Sequence, residues 1–385
     1  MPLYLLIFLI PVVWYYSTVD DDEQSKVAMG IYFGGLALFV GLADMLGGYD
    51  RYIYGEVFDQ LSLVARTKGD VTQTAGYLLY GTEWGFLGFN QLISYITINR
   101  YIFIFILTIL IYSLLFFSIK QYCENYPFAV IVFMGLWFFF TFTYLRQVTA
   151  ATIGWLAVRY AIERKPVLFF TIVLIAYSFH NSAIVLAPLY FVHQKKFDQT
   201  IILVGMLVCL AIGMSNVLGG VVGAADAFTD AGRIAENVSK LEEGVFRVAY
   251  FLEAVFFITL ILWQYDLFDE NDKLQVTLMN MAVIFCAILL LFVRSENGGL
   301  IAWHYMIGVI ATITYIAKHS EFSVIRSGII ILCLFLYMRI FFAWQIGNSL
   351  YPYKTFLTDG HRTPDIIHEY YEYDPQYDRD KFYKL

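Results

Sequence analysis

The sequence predicts an all-α fold: a polytopic integral membrane bundle of about ten spanning helices plus a re-entrant helical hairpin. Three observations carry this. Of the 385 residues, 59% are hydrophobic and only 15% are charged, against about 25% charged in soluble globular chains. Apolar runs of roughly 16 to 20 residues recur, enough to cross about 30 Å of hydrocarbon. The lysines lie in the short connections between those runs. The net charge of −7 says little, because acidic residues barely influence membrane orientation.

In chain order, the predicted spans are Pro2–Val19, Val27–Leu46, Tyr101–Ile119, Pro127–Leu145, Gln147–Ile162, Thr200–Leu218, Arg247–Tyr265, Leu274–Val293, Leu300–Ala317 and Ser327–Ala343. The first lacks a basic n-region and a small-residue cleavage site, so it reads as a retained helix rather than a signal peptide. Pro127 and Pro166 fall where helices begin and a missing N–H costs nothing. Cys123, Cys209, Cys286 and Cys333 lie far apart in or beside apolar runs; they read as packing residues. The chain shows no repeats and reads as one transmembrane domain, 1–385, with its core at 127–193 and a polar tail at 344–385.

Lys120, Lys165, Lys195, Lys196, Lys273 and Lys318 set the cytoplasmic side by the positive-inside rule. Lys165 and Lys195 flank the run holding Phe179-His180-Asn181-Ser182, so that run begins and ends on one side. Its roughly 27 residues are too few for two crossings and long for one. A hairpin with its tip near His180-Asn181 satisfies the parity; fourteen residues at about 1.5 Å carry the tip roughly 21 Å into the bilayer. Both termini then lie outside, with the outer loop 47–100 and the connections Asn216–Phe246 and Arg294–Gly299. Arg51, Arg66, Arg100, Arg146, Arg233, Arg247, Arg294 and Arg339 gather on that outer side. The positive-inside rule does not account for them, and an anionic ligand does.

The outer segment Gly47–Arg100 carries Tyr49-Asp50-Arg51-Tyr52-Ile53-Tyr54 and Glu83-Trp84-Gly85-Phe86. Aromatic faces beside carboxylates suit sugar rings, and the competing reading is an interfacial aromatic belt. Ile234, Val238, Leu241 and Val245 have the spacing of an amphipathic lid helix within 216–246. Arg146, at the seam of the fourth and fifth spans, reads as a site residue, as does Arg294; Arg247 and Arg339 stand between site and anchor. Arg159, on nearly the opposite face from Arg146 beside Arg164-Lys165, reads as a snorkelling residue. His180, at a helix break beneath the arginines, is the candidate general base, with His304 (followed by Tyr305) as its competitor. The acidic runs Asp20–Glu23 and Asp266–Asp272 could hold a metal–diphosphate, but fall on cytoplasmic connections and read as solvated loops. No two His or Cys have ligand spacing.

Tyr144-Leu145-Arg146-Gln147-x-x-Ala150, Phe179-His180-Asn181-Ser182-Ala183, Tyr49-Asp50-x-Tyr52 and Glu83-x-Gly85-Phe86 together resemble the EpsG family of Wzy-type polysaccharide polymerases. One departure is Trp303-His304-Tyr305, where the family has an Arg a few residues before a Tyr; either Arg294 or His304 takes that place. The resemblance implies a bacterial inner-membrane glycosyltransferase of GT-C-like layout, active on the periplasmic face. It would transfer a glycan from undecaprenyl pyrophosphate to a hydroxyl of a lipid-linked repeat unit, with no metal cofactor. His180 and Arg146 would be catalytic; Arg294, Arg247, Arg339, His304, Tyr305, Gln147, Arg51 and Asp50 would bind substrate. The implied partners are undecaprenyl-pyrophosphate-linked oligosaccharides, membrane lipid and a chain-length regulator, with no nucleic acid. Two alternatives share the composition: an O-antigen-ligase-like enzyme and a flippase for lipid-linked sugars. A flippase calls for polar stripes through both leaflets and repeated halves, whereas these charges crowd one side.

The lysine pattern yields a direct test. A cysteine introduced near Lys195 is expected to stay protected from impermeant reagents added outside, while one in 47–100 labels. Labelling at both positions would remove the hairpin.

Overall fold

The computed structural model describes residues 1–18, 24–44, 47–192, 194–215, 244–295, 297–344, 350 and 353–357. Among these residues there is no β-strand, only an isolated bridge between Ala43 and Thr355. The helices begin with α1 (Pro2–Ser17), α2 (Lys26–Gly41), α3 (Tyr49–Arg66), α4 (Ala75–Tyr80), α5 (Trp84–Ser94) and α6 (Arg100–Tyr122). Next come α7 (Tyr126–Leu136), α8 (Leu145–Trp155), α9 (Val158–Ile162), α10 (Pro166–Phe179) and α11 (Leu189–Val192). The chain continues with α12 (Gln199–Met214), α13 (Val248–Trp263), α14 (Lys273–Leu291), α15 (Gly298–Ala302), α16 (Met306–His319) and α17 (Ser323–Trp344).

Side chains written into the sequence start several of these helices. Asn99 Oδ1 accepts from Tyr101 N at 2.9 Å to open α6, and Asn125 Oδ1 accepts from Phe128 N at 3.0 Å to open α7. Asp198 and Asp272 do the same for α12 and α14, satisfying donors that a helix start leaves unpaired. Asp272 therefore has a capping role, and Asp269 Oδ1 accepts from Asn271 N at 2.9 Å within the preceding turn. Pro127 and Pro166 stand in the first turns of α7 and α10.

Among the described residues, four helical stretches are long and apolar enough to cross a membrane: Arg100–Tyr122, Lys273–Leu291, Gly298–His319 and Ser323–Ala343. Other apolar helices, α1, α2, α7, α10, α12 and α13 among them, are shorter. Two expected spans are not continuous. Pro127–Leu145 stops as a helix at Leu136, and Phe138–Phe142 forms a tight 3-10 turn. Consecutive aromatic side chains lose rotamer freedom in an α-helix, and here their rings pack on one another instead, Phe138 against Phe142 at 5.5 Å. Gln147–Ile162 is divided between α8 and α9. The outer segment, read from sequence as a loop, is largely helical, forming α3, α4 and α5. The predicted lid lies almost wholly outside the described residues, as do Asp20–Glu23 and most of the tail. From the tail, Tyr353 stacks on Phe39 with centroids 4.3 Å apart.

The described chain divides into two compact units. The first comprises residues 1–156, 171–184 and 321–385. In it α2 packs on α6, α7 lies against α1 and α17, and α3 lies against α5 and α6. Arg51 ties its middle together: Nη2 donates to Val40 O at 2.9 Å and Ala43 O at 3.1 Å, and Nη1 to Phe142 O at 3.1 Å. One cation thereby gathers the Val40 carbonyl in the last turn of α2, the Ala43 carbonyl just past that helix and the Phe142 carbonyl ahead of α8. Gly47 reaches this junction with φ +117°, and a Cβ there would meet Phe142 Cβ at 2.7 Å. Arg100 joins α6 to α3 through Glu56 at 2.6 Å and through Asp59.

The second unit comprises residues 157–170 and 185–320. Helix α14 packs on α12, α13 and α16, and a Cβ at Gly308 would overlap Met281. Arg164 Nη1 donates to Tyr190 O at 3.1 Å, and Gln194 Nε2 to Ile162 O at 2.7 Å. The two ends of the run 166–192 therefore lie together.

Arg51 is fully buried, so Arg51→Leu removes three hydrogen bonds to backbone carbonyls, at about 1–3 kcal/mol for each carbonyl left unsatisfied. Detergent-solubilised Arg51→Leu is expected to melt at least 10 °C lower or to fail to accumulate; wild-type melting would refute this structural role.

Candidate active site

The site grows from the first turn of α8. The turn 138–142, fixed by Arg51, delivers Tyr144 and then Leu145, so Arg146 and Gln147 leave the helix start in the first unit. Arg146 enters an aromatic cage. Its guanidinium carbon lies 3.7 Å from the Tyr80 ring centroid, 5.4 Å from Tyr54 and 5.9 Å from Phe86. Ring faces attract a cation, more so when water is excluded. The cage comes from three helices, α3, α4 and α5, all from the aromatic outer segment.

Arg146 Nη1 is paired with Glu83 Oε2. The side chains are 15% and 7% exposed, respectively, so both charges are largely desolvated and each requires the other. Glu83 stands just before α5, where the helix N-terminus favours an anion. Arg146 Nε, like Arg51 Nε, is buried without a hydrogen-bond partner among the described residues. Asp50 joins the same field. Burial, opposed by the Arg146 charge, holds its carboxyl above the usual carboxylate range.

The other wall is the break after α10. Asn181 Nδ2 donates to Thr82 Oγ1 at 2.8 Å, and the Asn181 backbone N–H points to Glu83 Oε1 at 3.5 Å. His180 Nε2 lies 4.0 Å from Glu83 Oε1, and Nδ1 lies 2.8 Å from Ser182 Oγ. Gln147 Nε2 donates to Ser182 Oγ at 2.8 Å. Small residues permit this closeness: Ala150, Ala176 and Ala183 are fully buried together beside Ile153 and Phe179. Gly85 is needed for the same reason, since a Cβ there would overlap the Ser178 hydroxyl.

Of the residues expected from sequence, Arg146, Gln147, His180 and Asp50 share this site. Arg51, expected to bind substrate, lies fully buried with its guanidinium on backbone carbonyls. Arg339, also in the first unit, is exposed on α17. In the second unit, Arg294 Nε donates to Gly244 O at 3.0 Å, and the Arg247 backbone N–H to Val293 O at 2.8 Å. His304 is fully buried there, and the Tyr305 hydroxyl donates to Val185 O at 2.6 Å. Sequence reading missed Glu83 as the counter-ion and Tyr54 and Tyr80 as the cage. The available signal was a lone carboxylate in an aromatic stretch.

These features define a helical membrane protein with a caged, largely buried ion pair at a helix break. The chain belongs to the EpsG family, whose profile matches residues 26–355, a family of Wzy-type polymerase-like membrane proteins. Comparison with curated proteins and with solved structures gave no match.

Gly85→Ala is expected to push α5 from α10, separate Glu83 from His180, and lower activity by about 10²-fold, since a displacement near 1 Å can cost that much. Adding Ser178→Gly clears the overlap and should restore most of it; polysaccharide laddering normalised to protein in the membrane reads both. No loss in the single variant would show that the close contact is dispensable.

Proposed function

We propose that this chain is a polysaccharide polymerase acting on the periplasmic face of the bacterial plasma membrane. It transfers a growing glycan from undecaprenyl pyrophosphate to a hydroxyl of a lipid-linked repeat unit. The observation that carries this is Arg146, a cation caged by aromatic rings and paired with Glu83 beside His180, in a chain of the EpsG family. As the anomeric C–O bond breaks, negative charge grows on the departing diphosphate. A fixed guanidinium meets that charge without reorganising, and needs no metal to do so. The acceptor hydroxyl loses its proton within the His180–Glu83 pair as its oxygen attacks the anomeric carbon.

The membrane layout belongs to the same proposal. About ten crossings leave the lysine-bearing connections in the cytoplasm. The run 166–192 enters and leaves on that side, with the His180 break reaching the outer half of the bilayer in a GT-C-like arrangement. The meeting of Arg164 with Tyr190 and of Gln194 with Ile162 supports the return. Non-helical backbone at such depth needs protein or a wet cavity around it, and a lipid-linked sugar site is such a cavity. The exposed Trp84 offers a ring face for sugars beside the Arg146 cage. Undecaprenyl-linked oligosaccharides are thus substrate and product, and chain length is set with a partner regulator.

Lysine substitutions separate recognition from anchoring. Lys keeps the charge but not the planar fork, so Arg146→Lys is expected to cut polymer at least 10²-fold at normal membrane abundance. Arg159, half-exposed and paired with Glu163 at 3.3 Å, is expected to tolerate Lys within twofold. A full ladder from Arg146→Lys together with loss in Arg159→Lys would move the site to the other face.

A further inference from the structure

The two nitrogens of His180 are not equivalent. Nδ1 lies 3.3 Å from the backbone N of Ser182, and that N–H can only donate. It also lies 2.8 Å from Ser182 Oγ, an oxygen that already accepts the Gln147 amide N–H at 2.8 Å and so can turn its own hydrogen toward the ring. Nδ1 is therefore the accepting nitrogen. In the neutral ring the proton then sits on Nε2, the nitrogen facing Glu83 Oε1 at 4.0 Å. A nitrogen that already carries a proton cannot take one from a substrate.

The neighbouring group that can is the Glu83 carboxylate, an acceptor on both oxygens when ionised. We infer that Glu83 is the proton acceptor of the transfer reaction and that His180 is its positioning residue, with Nε2–H turned toward Oε1. This rests on the polymerase reading and adds the identity of the base. In the empty site Arg146 neutralises Glu83. The donor diphosphate, with more negative oxygens, competes for the same guanidinium, and the carboxylate is left with charge to spend. The acceptor oxygen then forms its bond to the anomeric carbon. The anomeric C–O bond to diphosphate breaks with its electron pair going to the diphosphate oxygen, and the acceptor's proton goes to Glu83 Oε1. When the diphosphate departs, Glu83 returns the proton to water and pairs with Arg146 again. Binding of the donor thus switches on the base.

The test uses the full chain in lipid nanodiscs, with an undecaprenyl-diphosphate-linked repeat unit as donor and acceptor. Glu83→Ala and Glu83→Gln are expected to lose kcat by about 10²- to 10⁴-fold, the usual contribution of a general base. Formate, a small carboxylate, should restore Glu83→Ala at least tenfold and leave Glu83→Gln unchanged. His180→Gln, whose amide still donates, should keep kcat within about tenfold, a pattern that a general base at His180 would not give. If Glu83→Ala does not fold, Glu83→Asp must outperform Glu83→Gln in turnover while melting no higher. The proposal is overturned if folded Glu83→Ala is not rescued, if Glu83→Asp does no better than Glu83→Gln, or if Glu83→Gln turns over normally while imidazole rescues His180→Ala. With an active wild type, those outcomes remove only the assignment of the base. A wild-type chain that forms no polymer removes the polymerase reading with it.

Discussion

The Arg146–Glu83 ion pair is the constraint around which the first unit is arranged. Desolvating a guanidinium and a carboxylate costs several kcal/mol per ion unless geometry and further polar contacts repay it. Repayment comes from the Tyr80 face, 3.7 Å from the guanidinium carbon, from the start of α5, and from the Asn181 N–H. Each donor group has its own support. Arg51 fixes the turn that launches α8, Gly85 lets α5 close on Ser178, and the buried alanines bring α8 and the His180 break together. Arg51 and Arg146 are both largely buried cations, yet Arg51 turns its Nη groups to backbone carbonyls while Arg146 turns Nη1 to the Glu83 carboxylate.

That difference connects the structure to chemistry. A cation held in place, partly shielded from water and not fully satisfied, gains most when negative charge arrives. A neighbouring carboxylate makes the empty site tolerable, because an uncompensated guanidinium would be far costlier. Asp50 adds to this balance, its carboxyl held above the usual range by burial against the pull of Arg146. In the proposed reaction the same groups serve stability in the empty state and transfer in the loaded one. Removing one tests both, so abundance must be measured alongside activity.

Much of this was legible in the sequence, and the reasons for the rest are physical. Apolar run length and scarce charge announce a helical membrane protein, and capping residues such as Asn99 and Asn125 mark helix starts. Arg146 and His180 were singled out because polar groups in apolar sequence are expensive, and they do share a site. The Glu83 contact was not legible, since it joins positions 63 residues apart through the fold. Nor could composition separate Arg51 from Arg146. The break after Leu136 was hidden because Phe138–Phe142 looks as apolar as a span while its rings favour a tight turn. The three helices of the outer segment were missed because their sequence is mixed rather than uniformly apolar, and hydropathy reads such a stretch as a loop.

The central claim is that one polypeptide moves a glycan from a lipid diphosphate to a second lipid-linked acceptor. The direct measurement is to supply the purified chain, in lipid nanodiscs without any other protein, with an undecaprenyl-diphosphate-linked repeat unit. The expected result is a product ladder spaced by one repeat, with one undecaprenyl diphosphate released per bond formed. A donor that stays intact, or that crosses the bilayer of a proteoliposome without transfer, would contradict it.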